Sequence, residues 1–180
     1  HKNLKKLKEE VVFLEGMIGN LLLSDRLSLP YSKLDLAQFT TDEIVQRVLE
    51  MFPTSREKIK VKNSIPEAKV LIDETKFSLA LRNLLDNAFK YSAKDMNIEL
   101  IVTKKSYIEF QVKDSGIEIS KEDIKKIIQP FYQANQTVST KGFGLGLTIC
   151  KKIIESHKGR LSIKSIQEKG SVFTLHLPEI

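Results

Sequence analysis

The sequence predicts an α/β protein, a two-layer sandwich of helices on a sheet, with one amphipathic helix in front of it. Helical and strand patterns interleave along the chain, and tight turns join neighbouring strand patterns, which favours an antiparallel-rich sheet. The chain of 180 residues, 41% of them hydrophobic, is long enough to bury one substantial core. No internal repeat or low-complexity segment interrupts the pattern.

The composition excludes several classes of protein. The formal net charge is +6, spread along the chain, which indicates a solvated surface or a field that attracts an anionic ligand or acidic partner. Without Trp and with 7% aromatic residues, nothing indicates nucleic-acid binding. The single cysteine, Cys150, excludes an internal disulfide, and no apolar run approaches the about 18 residues of a membrane span. We also find no signal peptide, so any membrane contact of a parent protein is expected outside this chain.

An apolar seam in residues 4–23 predicts the first helix. Its residues recur at alternating spacings of three and four, namely Leu4, Leu7, Val11, Leu14, Ile18 and Leu21. Such a seam suits a helical bundle or a coiled-coil dimer, and a core helix of the main domain is the alternative. Pro30 ends the helix, so we divide the chain into residues 1–30 and residues 31–180.

The remaining elements follow from periodicity, caps and turns. Thr41 is expected to cap a helix with Asp42 and Glu43 in its first turn, and Pro53 stops that helix after Phe52. Alternating apolar residues predict strands and helical spacing predicts further helices. The expected strands are Lys33–Leu36, Ile59–Asn63, Val70–Ile72, Ile98–Thr103, Tyr107–Lys113, Arg160–Ile166 and Ser171–Leu177. The expected helices are Glu74–Tyr91, Lys121–Ile128 and one that follows the polar stretch Gln129–Lys141 and its glycines.

A glycine-rich stretch, Thr140–Gly159, is the first candidate for chemistry. Gly142, Gly144 and Gly146 alternate with apolar residues directly before a helix pattern. Glycines allow positive φ and close approach of a ligand, and a helix N-terminus attracts anions. The spacing lacks the Lys-Ser/Thr of a P-loop, and a mobile hinge or a tight turn remains open.

A second candidate is the polar face of the helix Glu74–Tyr91. Asn83, Asn87 and Lys90 fall at i, i+4 and i+7 and therefore share a face. An amide oxygen suits Mg²⁺, which takes few protein ligands, and a lysine can meet phosphates as a point charge. The alternative is that these residues form the solvent-exposed polar face of an amphipathic helix and bind nothing.

Two further segments complete the set of candidates. Asp114 follows a strand, where its carboxylate could accept a hydrogen bond from the exocyclic amine of adenine while Gly116 lets a ring lie against the backbone. A simple turn capped by Asp114 competes with this interpretation. Phe131 and Tyr132 open the polar stretch before the glycines, which indicates either a lid over a ligand or a disordered loop.

Taken in chain order, the asparagine helix, the Asp-Gly turn, the Phe131 segment, the glycine-rich stretch and the final hairpin resemble the catalytic ATP-binding domain of bacterial two-component sensor histidine kinases. The resemblance covers roughly residues 33–180, and the preceding LEGMIGNLLLSDRLS is similar to the second helix of that family's dimerisation and histidine-phosphotransfer domain. It implies the Bergerat-type ATP-binding fold, with residues 1–30 as a truncated bundle helix and residues 31–180 as the catalytic domain.

The resemblance also implies a role for each site residue. Asn87 would bind Mg²⁺ beside Asn83, and Asn83 and Lys90 would act in catalysis. The adenosine end would lie against Tyr91, Asp114, Gly116 and Ile119, with Thr174 holding adenine through water. The end of the lid would be shaped by Gly142, Gly144 and Gly146. The phosphates would contact Lys141 and the backbone N–H groups of Gly144, Leu145, Gly146 and Leu147. His157 and His176 match no catalytic position and are expected to be structural.

The implied reaction uses ATP and Mg²⁺ to phosphorylate a histidine, which then passes the phosphoryl group to an aspartate of a response regulator. The implied partners are the protein's own dimerisation and phosphotransfer domain, the response regulator and a second copy in a homodimer. The domain is expected in the cytoplasm, with the parent protein anchored in the inner membrane.

The sequence departs from the family pattern in three places. It has no His-Glu-x-x-Ser/Thr-Pro motif, so we expect a fragment that lacks the phosphoacceptor histidine. Glu118 stands where the Asp-x-Gly-x-Gly pattern has its second glycine, which predicts weakened ATP binding. Gln133 occupies a position that the family often fills with arginine, and Lys141 is the candidate replacement. A docking module with impaired nucleotide binding, or another ATPase or serine kinase of the same fold, remains the alternative.

Overall fold

The computed structural model describes residues 2–28, 33–92, 97–116, 118–134, 143–166 and 170–180. The helices are α1 (Lys2–Ser28), α2 (Thr41–Glu50), α3 (Glu74–Tyr91), α4 (Lys121–Ile124) and α5 (Gly146–Ser156). The strands are β1 (Ala37–Thr40), β2 (Ile59–Asn63), β3 (Lys69–Ile72), β4 (Ile98–Lys104), β5 (Ile108–Lys113), β6 (Arg160–Ile166) and β7 (Gly170–Leu177). The predicted mixture of helices and an antiparallel-rich sheet is confirmed.

Five strands form the main sheet in the order β2-β4-β5-β7-β6. β2 runs parallel to β4, and every other neighbouring pair is antiparallel. β1 and β3 form a separate antiparallel pair beside it. The central strand β5 is therefore bonded on both sides, and the segment that follows it emerges from the middle of the sheet.

The core lies between this sheet and the helices α2, α3 and α5. Alternate strand residues such as Leu100, Phe110 and Leu175 are fully buried against the helices. The ring of Phe77 on α3 meets Phe110 edge-on, with centroids 5.1 Å apart. Burial of this kind contributes roughly 1.5–3 kcal/mol for each large apolar side chain. It fixes α3 on the sheet, and with it the polar side of that helix.

The sequence of α3 explains both its start and its orientation. Asp73 is the N-cap, and its carboxylate accepts a hydrogen bond of 3.1 Å from the N–H of Lys76. The buried residues recur at helical spacing: Phe77, Ala80, Leu81, Leu84, Leu85 and Ala88. Because this stripe faces the sheet and its neighbouring helices, the positions between its members remain for the polar residues of α3.

Several boundaries differ from the sequence prediction, most of them by one or two residues. The first strand spans Ala37–Thr40 instead of Lys33–Leu36, because its register is set by pairing with β3. Thr40, not Thr41, is the N-cap of α2, where it forms a capping box with Glu43. Thr41 is buried, and its hydroxyl donates to the carbonyl of Ile65 at 2.5 Å. The helix that begins at Lys121 ends at Ile124 and continues only as turns.

The predicted N-terminal helix exists, and its apolar seam faces solvent. Leu4, Leu7, Val11, Leu14, Ile18 and Leu21 are each between 46% and 74% exposed. α1 contacts the main domain through α5 and through the segment before it, where a Cβ on Gly16 would lie 3.6 Å from the ring of Phe143. No helix in the described part of the chain combines the length and apolar character that crossing a bilayer requires.

Candidate active site

One cavity of about 320 Å³ brings the four candidate motifs together. It lies between α3, α5, the end of β5 and the segments on either side of residues 135–142. Its lining residues are Asn83, Asp86, Asn87, Lys90, Tyr91, Asp114, Glu118, Ile119, Ile127, Tyr132, Gln133, Ala134, Phe143, Gly144, Leu145, Gly146, Leu147, Ser171 and Phe173. Motifs separated by more than fifty residues in sequence thus form one site.

The wall formed by α3 carries the amides and the lysine. Asn83, Asn87 and Lys90 all line the cavity, as their shared helical face predicts. The Nζ atom of Lys90 lies 4.9 Å from the centre of the Tyr91 ring, a cation–π distance. This contact keeps the ammonium group at the cavity wall.

The opposite wall begins with the N-terminus of α5. A Cβ on Gly146 would lie 4.0 Å from both Asn83 Cγ and Asn87 Nδ2, so the helix starts directly beside the two amides. The N-cap residue Leu145 offers no side-chain hydrogen bond to the first turn. The first N–H groups of this 11-residue helix therefore lack a cap, and with the helix dipole they favour an anion in the cavity.

Asp114 supplies a buried carboxyl group at the other end of the site. It is 4% exposed, and its backbone pairs with that of Ser171 through N–H···O bonds of 2.9 and 3.2 Å. Its Oδ1 accepts a further hydrogen bond of 2.8 Å from the N–H of Gly116. Burial raises the pKa of Asp114 above its usual range, and the N–H groups of Gly116 and Ser171 act in the opposite direction.

Gly116 stands behind this carboxyl group and is not among the residues that line the cavity. A Cβ there would lie 2.6 Å from the carbonyl oxygen of Tyr91 and 2.9 Å from Asp114 Oδ1. The position therefore requires glycine because the turn packs against α3. Ile119, which was predicted beside it, does line the cavity.

Gly144 closes the glycine-rich end of the cavity. Its φ is +67°, and a Cβ would approach the carbonyl carbon of Phe131 and the carbonyl oxygen of Tyr132 to 2.7 Å. The N–H of Phe131 donates a hydrogen bond of 3.0 Å to the carbonyl of Gly144. This hydrogen bond thus links the described segment before residues 135–142 to the one after them. Lys141 and Gly142 lie outside the described residues.

One predicted site residue is misplaced. Thr174 does not line the cavity, because alternation along β7 puts it in a cross-strand row with Gln111 and Ser162 on the sheet face that points away from α3 and α5. Ser171 and Phe173 have the opposite parity and line the cavity. The prediction for Thr174 is therefore corrected to Ser171, which is also bonded to Asp114 through its backbone.

Other lining residues were not predicted as site residues: Asp86, Ile127, Ala134, Phe143, Ser171 and Phe173. Tyr132 is held in place because its hydroxyl donates a hydrogen bond of 2.5 Å to Asp123 Oδ1. The aromatic pair gave a signal for a lid, but Phe131 is half exposed and only Tyr132 lines the site. Ser171 could have been found from strand alternation, since Phe173 is apolar and two residues away.

Glu118 also lines the cavity and is exposed. It adds a third carboxyl group to those of Asp114 and Asp86. At a separation of about 4 Å two unit charges interact by about 1 kcal/mol in water and more strongly in a drier site. The structure therefore places the unusual acidic residue where it can oppose a polyanionic ligand.

The two internal histidines lie away from the cavity. His157 is buried, accepts the N–H of Asp73 at Nε2 over 2.9 Å and bonds the carbonyl of Ile153 through Nδ1 over 2.7 Å. Its pKa is lowered by burial. Nε2 of His176 lies 2.7 Å from the Ser162 hydroxyl on the outer sheet face. Neither histidine is placed to meet a ligand in the cavity.

Residues 72–180 match the family described as histidine kinase-, DNA gyrase B- and HSP90-like ATPases. The chain is 31% identical over 180 residues to the sensor protein KdpD of Clostridium acetobutylicum, covering 95% of this chain and 20% of that protein. It is 32% identical to the sensor-like histidine kinase SenX3 of Mycolicibacterium smegmatis, covering 97% of this chain and 47% of the relative. The chain thus spans less than half the length of these relatives.

Solved structures show the same fold. The catalytic domain of the histidine kinase ThkA has a TM-score of 0.70 at 28% identity, covering 81% of this chain and 97% of that one. Full-length ShkA in complex with AMPPNP has a TM-score of 0.81 at 24% identity, covering 97% of this chain and 38% of the other. The chain belongs to the family of histidine kinase-, DNA gyrase B- and HSP90-like ATPases.

Proposed function

We propose that the cavity binds ATP with Mg²⁺ and that the domain transfers the γ-phosphoryl group to a histidine presented to it by a separate helix. One observation carries the proposal: a buried carboxyl group, a pair of helix amides with a lysine, and an uncapped helix N-terminus line the same cavity. These groups match the three parts of Mg-ATP, namely a purine amine, a hydrated cation and a chain of phosphates.

Asp114 would hold the adenine. Its carboxylate is buried and can accept a hydrogen bond from an exocyclic amine, while Ile119, Phe173 and Ile127 supply apolar surface for the ring. Gly116 would not contact the adenine; its N–H would keep the Asp114 carboxylate in place through the hydrogen bond to Oδ1. Gly144, Leu145, Gly146 and Leu147 would meet the phosphates through backbone N–H groups at the start of α5, with Lys141 as a further contact.

The residues present fit a magnesium ion. Among the described residues no group of three His, Cys, Asp or Glu side chains could hold a metal by itself. Asn87 and Asn83 instead bring their side-chain amides beside the helix N-terminus. The oxygen of an amide would suit an ion that keeps several waters and binds mainly through substrate phosphates. When bound, Mg²⁺ neutralises phosphate charge, and Asn87 would hold it.

The reaction breaks the bond between the γ-phosphorus and its bridging oxygen and forms a bond from phosphorus to an imidazole nitrogen, so that ADP leaves. Such transfers depend mainly on positioning and charge neutralisation. Lys90 lies at the wall with its ammonium group over Tyr91, where it can stabilise charge on the phosphates. Asn83, on α3 beside the start of α5, would orient the reacting phosphate.

The N-terminal helix supports the proposed partners. We assign residues 1–30 to a dimerisation and phosphotransfer helix and residues 31–180 to the catalytic domain. The exposed seam of α1 would pair with a second copy and with the histidine-bearing helix, as a bundle requires. A response regulator would receive the phosphoryl group on an aspartate, and a parent protein anchored in the inner membrane would keep this domain in the cytoplasm.

Mixing the chain with a separately produced histidine-bearing helix of the bundle and γ-labelled ATP tests the proposal. We expect acid-labile label on that helix, dependent on Mg²⁺, and none when its histidine is replaced by glutamine. Asn87→Ala should abolish labelling, whereas Asn97→Ala, an exposed asparagine outside the cavity, should leave it unchanged. Label that persists in Asn87→Ala would contradict the assigned site.

Glu118 favours one second candidate, a docking module that binds nucleotide poorly. Thermal melting separates the two functions, since a ligand that binds only the folded state raises the melting temperature. A shift with Mg-ATP supports the kinase; an unchanged melting temperature at millimolar Mg-ATP, together with an intact fold, supports the docking module.

A further inference from the structure

The outer face of the main sheet, the one that points away from α2, α3 and α5, is rich in cationic side chains. We define this basic face by its six cations, which are Lys60, Lys62, Lys105, Lys113, Arg160 and Lys164. No helix in the described part of the chain packs over it, since the helix contacts are made by the opposite strand residues that form the core. The cavity of the proposed active site opens on the helix side.

Strand register places these side chains together. One cross-strand row runs over all five strands through Lys60, Glu99, Lys113, Val172 and Lys164. A parallel row ends in Arg160 and passes through His176 and Glu109. With strands about 4.8 Å apart, the row that crosses all five strands is roughly 20 Å long.

The charge of the basic face is largely uncompensated. Six cations share it with two carboxylates, Glu99 and Glu109, which leaves +4 of the chain's formal +6 on this one surface. Lys62 and Lys113 both pair with Glu99, and Lys105 pairs with Glu109 at 3.1 Å.

Three cations of the basic face are left without a carboxylate. Lys60, Lys164 and Arg160 have none within 4 Å among the described residues, and Arg160 stacks on the Tyr107 ring at 5.4 Å. All three are exposed. The basic face thus attracts anions over and above its internal pairs.

We propose that the basic face rests on the anionic surface of a lipid bilayer. A broad, gently twisted sheet surface is complementary in shape and charge to a plane of acidic head groups, and each lysine or arginine near such a surface adds to the attraction. Five of the six cations are lysines, which act as hydrated point charges on mobile head groups without needing a fixed bidentate partner.

The same surface is poorly suited to nucleic acid. Among the described residues of the basic face, only Tyr107 could stack on a base, and the face presents no helix for the major groove. Docking through the outer face would leave the cavity open on the other side, so the bilayer and the nucleotide are expected to bind independently.

Co-sedimentation of the chain with vesicles of 30% phosphatidylserine and 70% phosphatidylcholine tests the proposal. We expect binding at about 50 mM salt that disappears at about 500 mM, and none to pure phosphatidylcholine. Replacing Lys60 and Lys164 by glutamine should lower the partition coefficient about 25-fold, or about fivefold for each charge. Saturating Mg-ATP should leave binding unchanged.

A matched control removes the same charge elsewhere. Lys121→Gln with Lys125→Gln alters two exposed lysines near α4, away from the basic face, and should change vesicle binding less than twofold. Equal loss in both double variants would contradict the proposal, because binding would then follow net charge alone. Binding to soluble polyglutamate without binding to acidic vesicles would also overturn it and would indicate an acidic protein partner instead.

Discussion

The backbone N–H of Phe131 donates a hydrogen bond of 3.0 Å to the carbonyl oxygen of Gly144. This bond links two residues that are thirteen positions apart in the sequence. Both have positive φ, +65° for Phe131 and +67° for Gly144. A left-handed conformation is costly for a phenylalanine, so the surrounding structure must stabilise it. The pair therefore holds together the described residues on either side of residues 135–142.

Gly144→Ala is therefore expected to destabilise the protein. Its Cβ would meet the backbone of Phe131 and Tyr132 at 2.7 Å in a left-handed conformation, and we expect a loss of at least about 1–2 kcal/mol in the free energy of unfolding. Gly146→Ala is the matched control, because its Cβ meets nothing closer than 4.0 Å and lies in a helix. Urea denaturation measures both; equal stability of the two variants would contradict the prediction.

Asn87→Ala should remove the stabilisation of the protein by Mg-ATP. A ligand at a hundred times its Kd contributes about 2.7 kcal/mol, which raises the melting temperature of a chain this long by about 5–10 °C. The amide is the group that we assign to Mg²⁺, so its loss should abolish the shift while leaving the melting temperature without ligand nearly unchanged. Asn97→Ala, outside the cavity, should keep the full shift. A full shift in Asn87→Ala would refute the assignment.

Asp114→Asn should weaken ATP binding by about 10- to 100-fold, since a hydrogen bond to a charged group contributes about 1.5–3 kcal/mol. The carboxylate form is the acceptor for the purine amine, and burial raises the pKa of this carboxyl group. Affinity in the wild type is thus expected to fall on acidification at a higher pH than an exposed aspartate would give. Calorimetric titration at several pH values checks this, and an affinity that on acidification falls no earlier than an exposed aspartate would give would be a negative result.

Glu118→Gly is expected to strengthen ATP binding. The side chain lines the cavity at the position where the family pattern has glycine, so its removal lifts both repulsion of the phosphates and crowding of the base. Glu118→Gln separates the two causes, because it removes the charge and keeps the bulk. Calorimetry would show improvement in both variants if charge dominates and only in Glu118→Gly if bulk dominates; equal dissociation constants in all three proteins would exclude the hypothesis.

His157 should make the protein less stable in mild acid. Burial lowers the pKa of His157 in the folded state, and its Nε2 accepts the N–H of Asp73 only when it is unprotonated. Below pH 6.5, about the pKa of a histidine in the unfolded chain, His157 binds a proton more readily in the unfolded state than in the folded state. The free energy of unfolding therefore falls as pH drops from about 7 to 5, by at most about 1.4 kcal/mol per pH unit for this one group.

Denaturation of His157→Gln as a function of pH tests this. The variant should be less stable at pH 7, because it loses the buried hydrogen bonds, and its stability should depend less on pH between 7 and 5. His176 also has a pKa lowered by burial, so some pH dependence should remain. An unchanged slope in the variant would show that His157 does not titrate in this range.

Sequence periodicity was sufficient where burial on one side is continuous. Helix α3 has the predicted bounds, Glu74–Tyr91, because an N-cap and a regular apolar stripe specify it locally. Prediction was weaker where a distant strand decides the outcome. The first strand lies four residues beyond its predicted start, since its register depends on pairing with β3. Thr174 was misassigned because the parity of β7 decides which side chains face the helices.

The sequence by itself determined which residue types are available for the site and on which local elements they stand, because caps, helical spacing and strand alternation act over a few neighbouring residues. The tertiary structure decided that Asp114, the amides of α3 and the start of α5 share one cavity, since only packing on the sheet brings these distant segments together. It also decided that Ser171 replaces Thr174 at the cavity and that the cations of β2, β4–β5 and β6 form one surface, because strand register is a property of the assembled sheet.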